Sequence, residues 1–106
     1  MTEAIVVLIT AAGEAEAASI AKTLVDERLI ACANILPGVR SLFFWEGSTQ
    51  YASEVLMVCK SRANLMERII ERVKALHSYT VPEIIALPVV AGSPDYLAWV
   101  RDSTGT

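Results

Sequence analysis

Thiol and imidazole side chains, the ligands that bind copper and zinc most readily, are few in this sequence, and they are scattered. Cys32 offers a thiolate, a soft ligand that suits Cu(I). His77 is the one histidine among 106 residues, and Glu83, six positions on, offers a carboxylate. A tight metal site needs three or four ligands, and no H-x-x-H, H-E-x-x-H or paired-cysteine spacing gathers them locally. An oligomer could bring Cys32, His77 and Glu83 together from different chains. Each also has a plainer reading. A free cysteine on a strand commonly packs as a small hydrophobe, a description that suits Cys59 even better than Cys32. A histidine at a helix end caps the last carbonyls and favours the negative end of the dipole.

A second group suits an anionic or zwitterionic ligand. Glu54, Lys60 and Glu83 are ionisable residues within strands or at their ends, where they line a polar cleft between subunits or form an intersubunit ion pair that fixes register. Trp45, Tyr79, Tyr96 and Trp99 provide aromatic surface for such a cleft, or packing anchors. No nucleophile elbow, P-loop or G-x-G-x-x-G occurs, so the expectation is a binding protein and not an enzyme.

The elements that must position these residues follow from periodicity. Ala4–Thr10 is a short β-branched run that reads as a strand. Gly13, Glu14 and Glu16 suit a helix start, and Ala17, Ile20, Ala21 and Leu24 carry the apolar stripe of a helix running to about Leu29. Ile30–Trp45 is a long extended segment interrupted at Pro37-Gly38, where a bulge or edge is expected. A turn at Gly47-Ser48 leads into a strand over Tyr51–Lys60, making a hairpin. A turn centred there makes paired residues sum to about 95, setting Cys59 opposite Leu36 and ~14 Å along the strand from Cys32, beyond disulfide reach.

Ser61 reads as the N-cap of a second helix, whose apolar face is Leu65, Met66, Ile69, Val73 and Leu76. A strand over Ile84–Val90 contains Pro88, and Ser93-Pro94-Asp95 opens a last helix over about Pro94–Asp102. The order is β-α-β-β-α-β plus a terminal helix: one α+β domain over residues 1–106, a ferredoxin-like split β-α-β with an antiparallel sheet.

Composition bears on partners. The hydrophobic fraction is 54% and the charged fraction only 20%. Ile5, Val7 and Ile9 alternate with Val6 and Leu8, so both faces of the sheet call for burial while two helices cover one. A homo-oligomer packing sheet on sheet resolves this, and a terminal helix folded over the open face is the alternative. A net charge of −3 with dispersed Lys and Arg argues against a nucleic-acid partner. No run approaches the ~20 apolar residues of a membrane span. Glu3 interrupts any secretory h-region, so the cytosol is the expected compartment.

Two blocks carry a family resemblance. Ala31–Gly47 (ACANILPGVRSLFFWEG) and His77–Pro88 (HSYTVPEIIALP) resemble the signature of the CutA family, the divalent-cation tolerance proteins. Glu54-Val55-Leu56 with Lys60, and Asp95-Tyr96-Leu97-Ala98-Trp99, match further family motifs, so the resemblance spans about Ile5 to Val100. It implies a ferredoxin-like subunit in a homotrimer, an association with copper and other divalent cations, and an architecture like that of the PII signalling trimers. Cys32 and His77 fall on family positions. Phe43 stands where the family usually has Tyr, Ser78 replaces a common Pro and so loosens the loop, and Ser48 stands where Lys is frequent. The expected function is therefore copper or other divalent-cation binding by a trimer. A PII-like trimer with a small molecule in its intersubunit clefts, or a structural trimer that scaffolds other proteins, are the alternatives.

Overall fold

A computed structural model of the chain describes residues 2–105. Strand β1 (Ala4–Ala11) leads into helix α1 (Glu14–Asp26), followed by a long hairpin of β2 (Cys32–Trp45) and β3 (Ser48–Arg62). A 3-10 turn at Ala63–Leu65 opens α2 (Met66–Leu76), and β4 (Ile84–Pro88) and α3 (Pro94–Ser103) complete the fold. All strands pair antiparallel, in the order β2-β3-β1-β4, so β3 lies between the two strands that α1 connects.

The alternation in β1 and β3 sorts their side chains. Ile5, Val7 and Ile9 with Val55, Met57 and Cys59 face α1 and α2, where they meet Ala17, Ile20, Leu24, Leu65, Ile69 and Val73 in one buried cluster. Each large apolar side chain so buried contributes about 1.5–3 kcal/mol of transfer free energy. The opposite face carries Val6, Leu8, Leu56 and Val58, half-buried, and Leu36, Ile85 and Leu87, exposed.

Helix α3 covers only one end of that open face. Val100 is buried beneath it, and the Tyr96 hydroxyl lies 3.5 Å from Cys32 Sγ. Arg62 fastens the segment that follows, donating to Thr104 Oγ1 and to the Thr104 carbonyl, each at 2.9 Å. Ten helical residues span ~15 Å, too little to cover four strands.

Several boundaries differ from the expectation. Helix α1 stops at Asp26, three residues before Leu29, because Arg28 turns left-handed with φ 60°. The Arg28 amide donates to the Val25 carbonyl and the Leu29 amide to that of Leu24, the two bonds of a Schellman end. Arginine replaces the usual glycine there, and its guanidinium donates to the carbonyls of Gly105 and Asp102 at 2.6 and 2.8 Å. Ser61 is no helix cap. It sits fully buried within β3, and its hydroxyl donates to the Leu29 carbonyl at 2.6 Å. Strand β4 ends at Pro88, opposite Ile5, two residues before the expected Val90, although the Val89 amide still donates to the Ala4 carbonyl at 3.1 Å.

The hairpin turns one residue earlier than expected. Trp45 pairs with Ser48, and Glu46 and Gly47 both have positive φ (50° and 83°), a two-residue turn of the type that matches strand twist. The expected bulge is present: Leu36 pairs with Leu56 and Val39 with Glu54, leaving Pro37 and Gly38 (φ 80°) opposite Val55 alone. Together these set Cys59 opposite Ala33, not Leu36, and Cys32 opposite Lys60. The two cysteines are therefore diagonal neighbours, but alternation points Cys59 into the core and Cys32 to the open face. Both are free thiols.

Candidate functional site

The register divides the chemically capable residues between the two ends of the sheet. At one end, near the start of β2, Cys32 lies opposite Lys60. The Lys60 ammonium donates to Asn34 Oδ1 on the same face. Tyr96 and Trp99 of α3 complete this group, their rings tilted at 41° with centroids 5.6 Å apart. The hydrogen bond to Cys32, with burial, pushes the Tyr96 phenol up to about 12.

At the other end, the 78–83 loop curls against the face of the hairpin that carries Glu54. Between them lies an open cleft of ≈ 900 Å³ whose lining includes Thr10, Phe43, Trp45, Glu54, Tyr79 and Glu83. Glu54 is only 8% exposed, and the Tyr79 hydroxyl donates to its Oε2 at 2.8 Å. Burial, then this bond and the nearby carboxylates of Glu54 and Glu16, push the Tyr79 phenol up to about 12.

His77 lies behind this wall with no exposed side-chain surface. Its Nε2 is 2.7 Å from the Thr10 carbonyl, and the Tyr79 amide meets Nδ1 at 3.0 Å. A backbone amide can only donate, so Nδ1 accepts and Nε2 carries the proton given to Thr10. Both ring nitrogens are thus occupied by backbone. Glu16 assists from α1, with Oε1 accepting the Ala12 amide at 3.3 Å and Oε2 the Ser78 amide at 2.7 Å. Burial raises the Glu16 carboxyl, but the bonds from Ser78 and Ala12 and the proximity of His77 outweigh it, leaving the pKa lowered. Ser78 therefore pins the loop instead of loosening it, because a proline there would have no amide to give.

The ligand-cleft residues expected together are split. Trp45, Glu54 and Tyr79 share the cleft with Glu83, whereas Lys60 lies six residues along β3 from Glu54, ~20 Å away. Among the described residues no three of His, Cys, Asp and Glu gather as a metal site. Cys32 stands at the Val6–Lys60 end of the sheet and His77 at the Thr10 end, ~14 Å apart along β1. The described residues of one chain thus bring no three such ligands together. Thr10 and Glu16 were missed as contributors, and Phe43 was singled out only as a departure from the family's Tyr. For Glu16 the signal was its place in the first turn of α1, and for Thr10 no local signal exists.

These features define a small α+β protein whose antiparallel sheet has one helix-covered face, one open apolar face and a polar cleft beside a long hairpin. The family model of the CutA1 divalent ion tolerance protein matches residues 5–103, and the chain belongs to that family. A divalent-cation tolerance protein from Thermus thermophilus is 50% identical over 100 residues, covering 94% of this chain and 97% of the relative. The solved structure of the protein from that organism superposes with a TM-score of 0.94 over 96% of this chain and 99% of its own, at 49% identity. A chloroplastic CutA protein from Arabidopsis thaliana is 45% identical over 94% of this chain, which spans only 55% of that longer relative. The CutA structure from Archaeoglobus fulgidus, described as periplasmic, has a TM-score of 0.92 at 39% identity, covering 94% of this chain and 97% of its own. The expected cytosolic location therefore does not stand, since relatives of this fold occupy the chloroplast and the periplasm.

Proposed function

We propose that the protein serves divalent-cation tolerance as a homotrimer and that it binds copper or another divalent cation with ligands drawn from more than one subunit. Membership of the CutA1 family over residues 5–103 supports the tolerance role. The open sheet face carries the assembly. Leu36, Ile85 and Leu87 are 42%, 49% and 49% exposed on it, an apolar surface that a monomer leaves in water. Cys32 lies on the same face, half-buried and with a free thiol. With no three-ligand cluster among the described residues, this reading requires ligands from more than one subunit.

A second reading has its own observation. The cleft of ≈ 900 Å³ collects Trp45, Glu54, Tyr79 and Glu83, and a trimer using it for a small molecule would act as a PII-like regulator.

Native mass spectrometry with and without Cu(I), Cu(II) and Zn(II) tests both. A trimer holding a fixed number of copper ions, lost in Cys32→Ala, is the expected result. A trimer without stoichiometric metal sinks the first reading and favours the second. A monomer overturns the assembly on which both depend. Leu87→Arg places a charge on the open face and is expected to give monomers by light scattering, because an unpaired charge buried in an interface is strongly unfavourable.

A further inference from the structure

We propose that the cleft between the β2–β3 hairpin and the 78–83 loop is a site for a small organic ammonium ion, with Glu54 as its counter-ion. The inference rests on the small-molecule reading of the cleft and names the ligand class.

Glu54 carries the argument. Its residue is more than nine-tenths buried, at 8% exposed, yet it belongs to the cleft lining. A buried carboxylate is costly unless paired with a cation or fully hydrogen-bonded. Oε2 accepts from Tyr79, and Oε1 has no partner among the described residues. Among the same residues no fully buried side-chain oxygen lacks a partner, so Oε1 opens onto the cleft. No ion pair among the described residues includes Glu54. Lys60, further along the same face of β3, is bonded to Asn34. Arg40 also belongs to the cleft lining, but it pairs with Ser53 while Glu54 pairs with Val39, so the two side chains leave β2 and β3 on opposite faces and no ion pair joins them among the described residues.

The surroundings select the kind of cation. Glu83 is the second carboxylate of the lining, and among the described residues no third His, Cys, Asp or Glu of the same chain joins these two. Phe43 and Trp45 add aromatic faces, which attract an organic cation and cover its apolar part. The volume of ≈ 900 Å³ lies within the ~300–1,000 Å³ of small-molecule sites. Tyr79 acts as a positioning residue, holding Oε2 so that Oε1 points outward.

The test titrates the purified full chain, in its native oligomer, with benzylammonium chloride by calorimetry and tryptophan fluorescence. Benzyl alcohol, benzoate and zinc chloride serve as comparison probes. Benzylammonium is expected to bind at least about tenfold more tightly than benzyl alcohol, with benzoate inert and affinity falling as salt rises. Glu54→Gln should cost at least about tenfold in affinity and flatten the salt dependence. Glu83→Gln, at an exposed position that leaves the fold intact, should cost a few fold and keeps the test informative if the Glu54 variant misfolds. Benzyl alcohol or benzoate binding as well as benzylammonium, unchanged in Glu54→Gln, would overturn the ammonium assignment and leave the cleft as a small-molecule site. Zinc binding without ammonium binding overturns it in favour of a metal. Silence from every probe overturns both the inference and the reading beneath it.

Discussion

His77 Nε2 lies 2.7 Å from the carbonyl oxygen of Thr10, joining the end of α2 to the end of β1 through a ring with no exposed surface. The Tyr79 amide on Nδ1 fixes which nitrogen bears the proton. The histidine that sequence motifs suggest as a ligand is here a fastener for the cleft loop. Nitrogen-15 shifts of the imidazole are expected to report the Nε2–H tautomer, unchanged by added Zn(II). An Nδ1–H tautomer, or a shift on adding zinc, would return His77 to the metal ligands. His77→Ala removes two buried hydrogen bonds and is expected to cost about 2–3 kcal/mol in denaturant melts, with Tyr79 freed from Glu54.

Tyr79 sets an alkaline limit on the same loop. Its phenol is pushed up to about 12 in the folded protein, chiefly by burial and then by the bond to Glu54, against ~10 in the unfolded chain. The folded state therefore holds the proton more tightly. Its contribution is fully present below pH ~10 and is lost as pH rises from there through about 12. Ultraviolet titration should show this late-ionising tyrosine, and Tyr79→Phe should remove it and flatten the alkaline fall in stability. An unchanged titration in that variant would contradict the assignment. Tyr96, also pushed up to about 12 by its bond to Cys32, remains in Tyr79→Phe as an internal reference.

Cys59 is expected to be inert. Burial raises its thiol to about 12, with Cys32 adding to the rise and Lys60 opposing it, so almost no thiolate exists at pH 8. A disulfide-exchange reagent should leave Cys59 unmodified in the native protein and label it on unfolding, with peptide mapping as the readout. No Cys32–Cys59 disulfide should form under mild oxidation, since the two side chains leave opposite faces of the sheet. Rapid native labelling of Cys59 would mean that the core opens readily beneath α1 and α2.

The sequence by itself determined the elements and their order. The continuous apolar runs Ile5–Ile9 and Val55–Cys59 and the helical stripe Leu65, Ile69 and Val73 are local features that spacing records, whereas which face of the two strands meets the helices is not. The Pro37-Gly38 bulge was equally legible, because proline and glycine impose backbone conformations wherever they stand. Tertiary structure decided what meets what. A one-residue shift of the hairpin turn to Glu46-Gly47, added to the bulge, put Lys60 opposite Cys32 and Cys59 opposite Ala33. Register is a sum over the whole hairpin, so small local uncertainties accumulate with distance from the turn. Ser61, a cap by its neighbours in sequence, became a buried strand residue because the Leu29 carbonyl across the fold needed a donor. In the same way His77 found Thr10, sixty-seven residues away, and Glu54 found Tyr79. Hydrogen-bond partners at such separations are chosen by packing, and packing is the part of a fold that spacing along the chain does not encode.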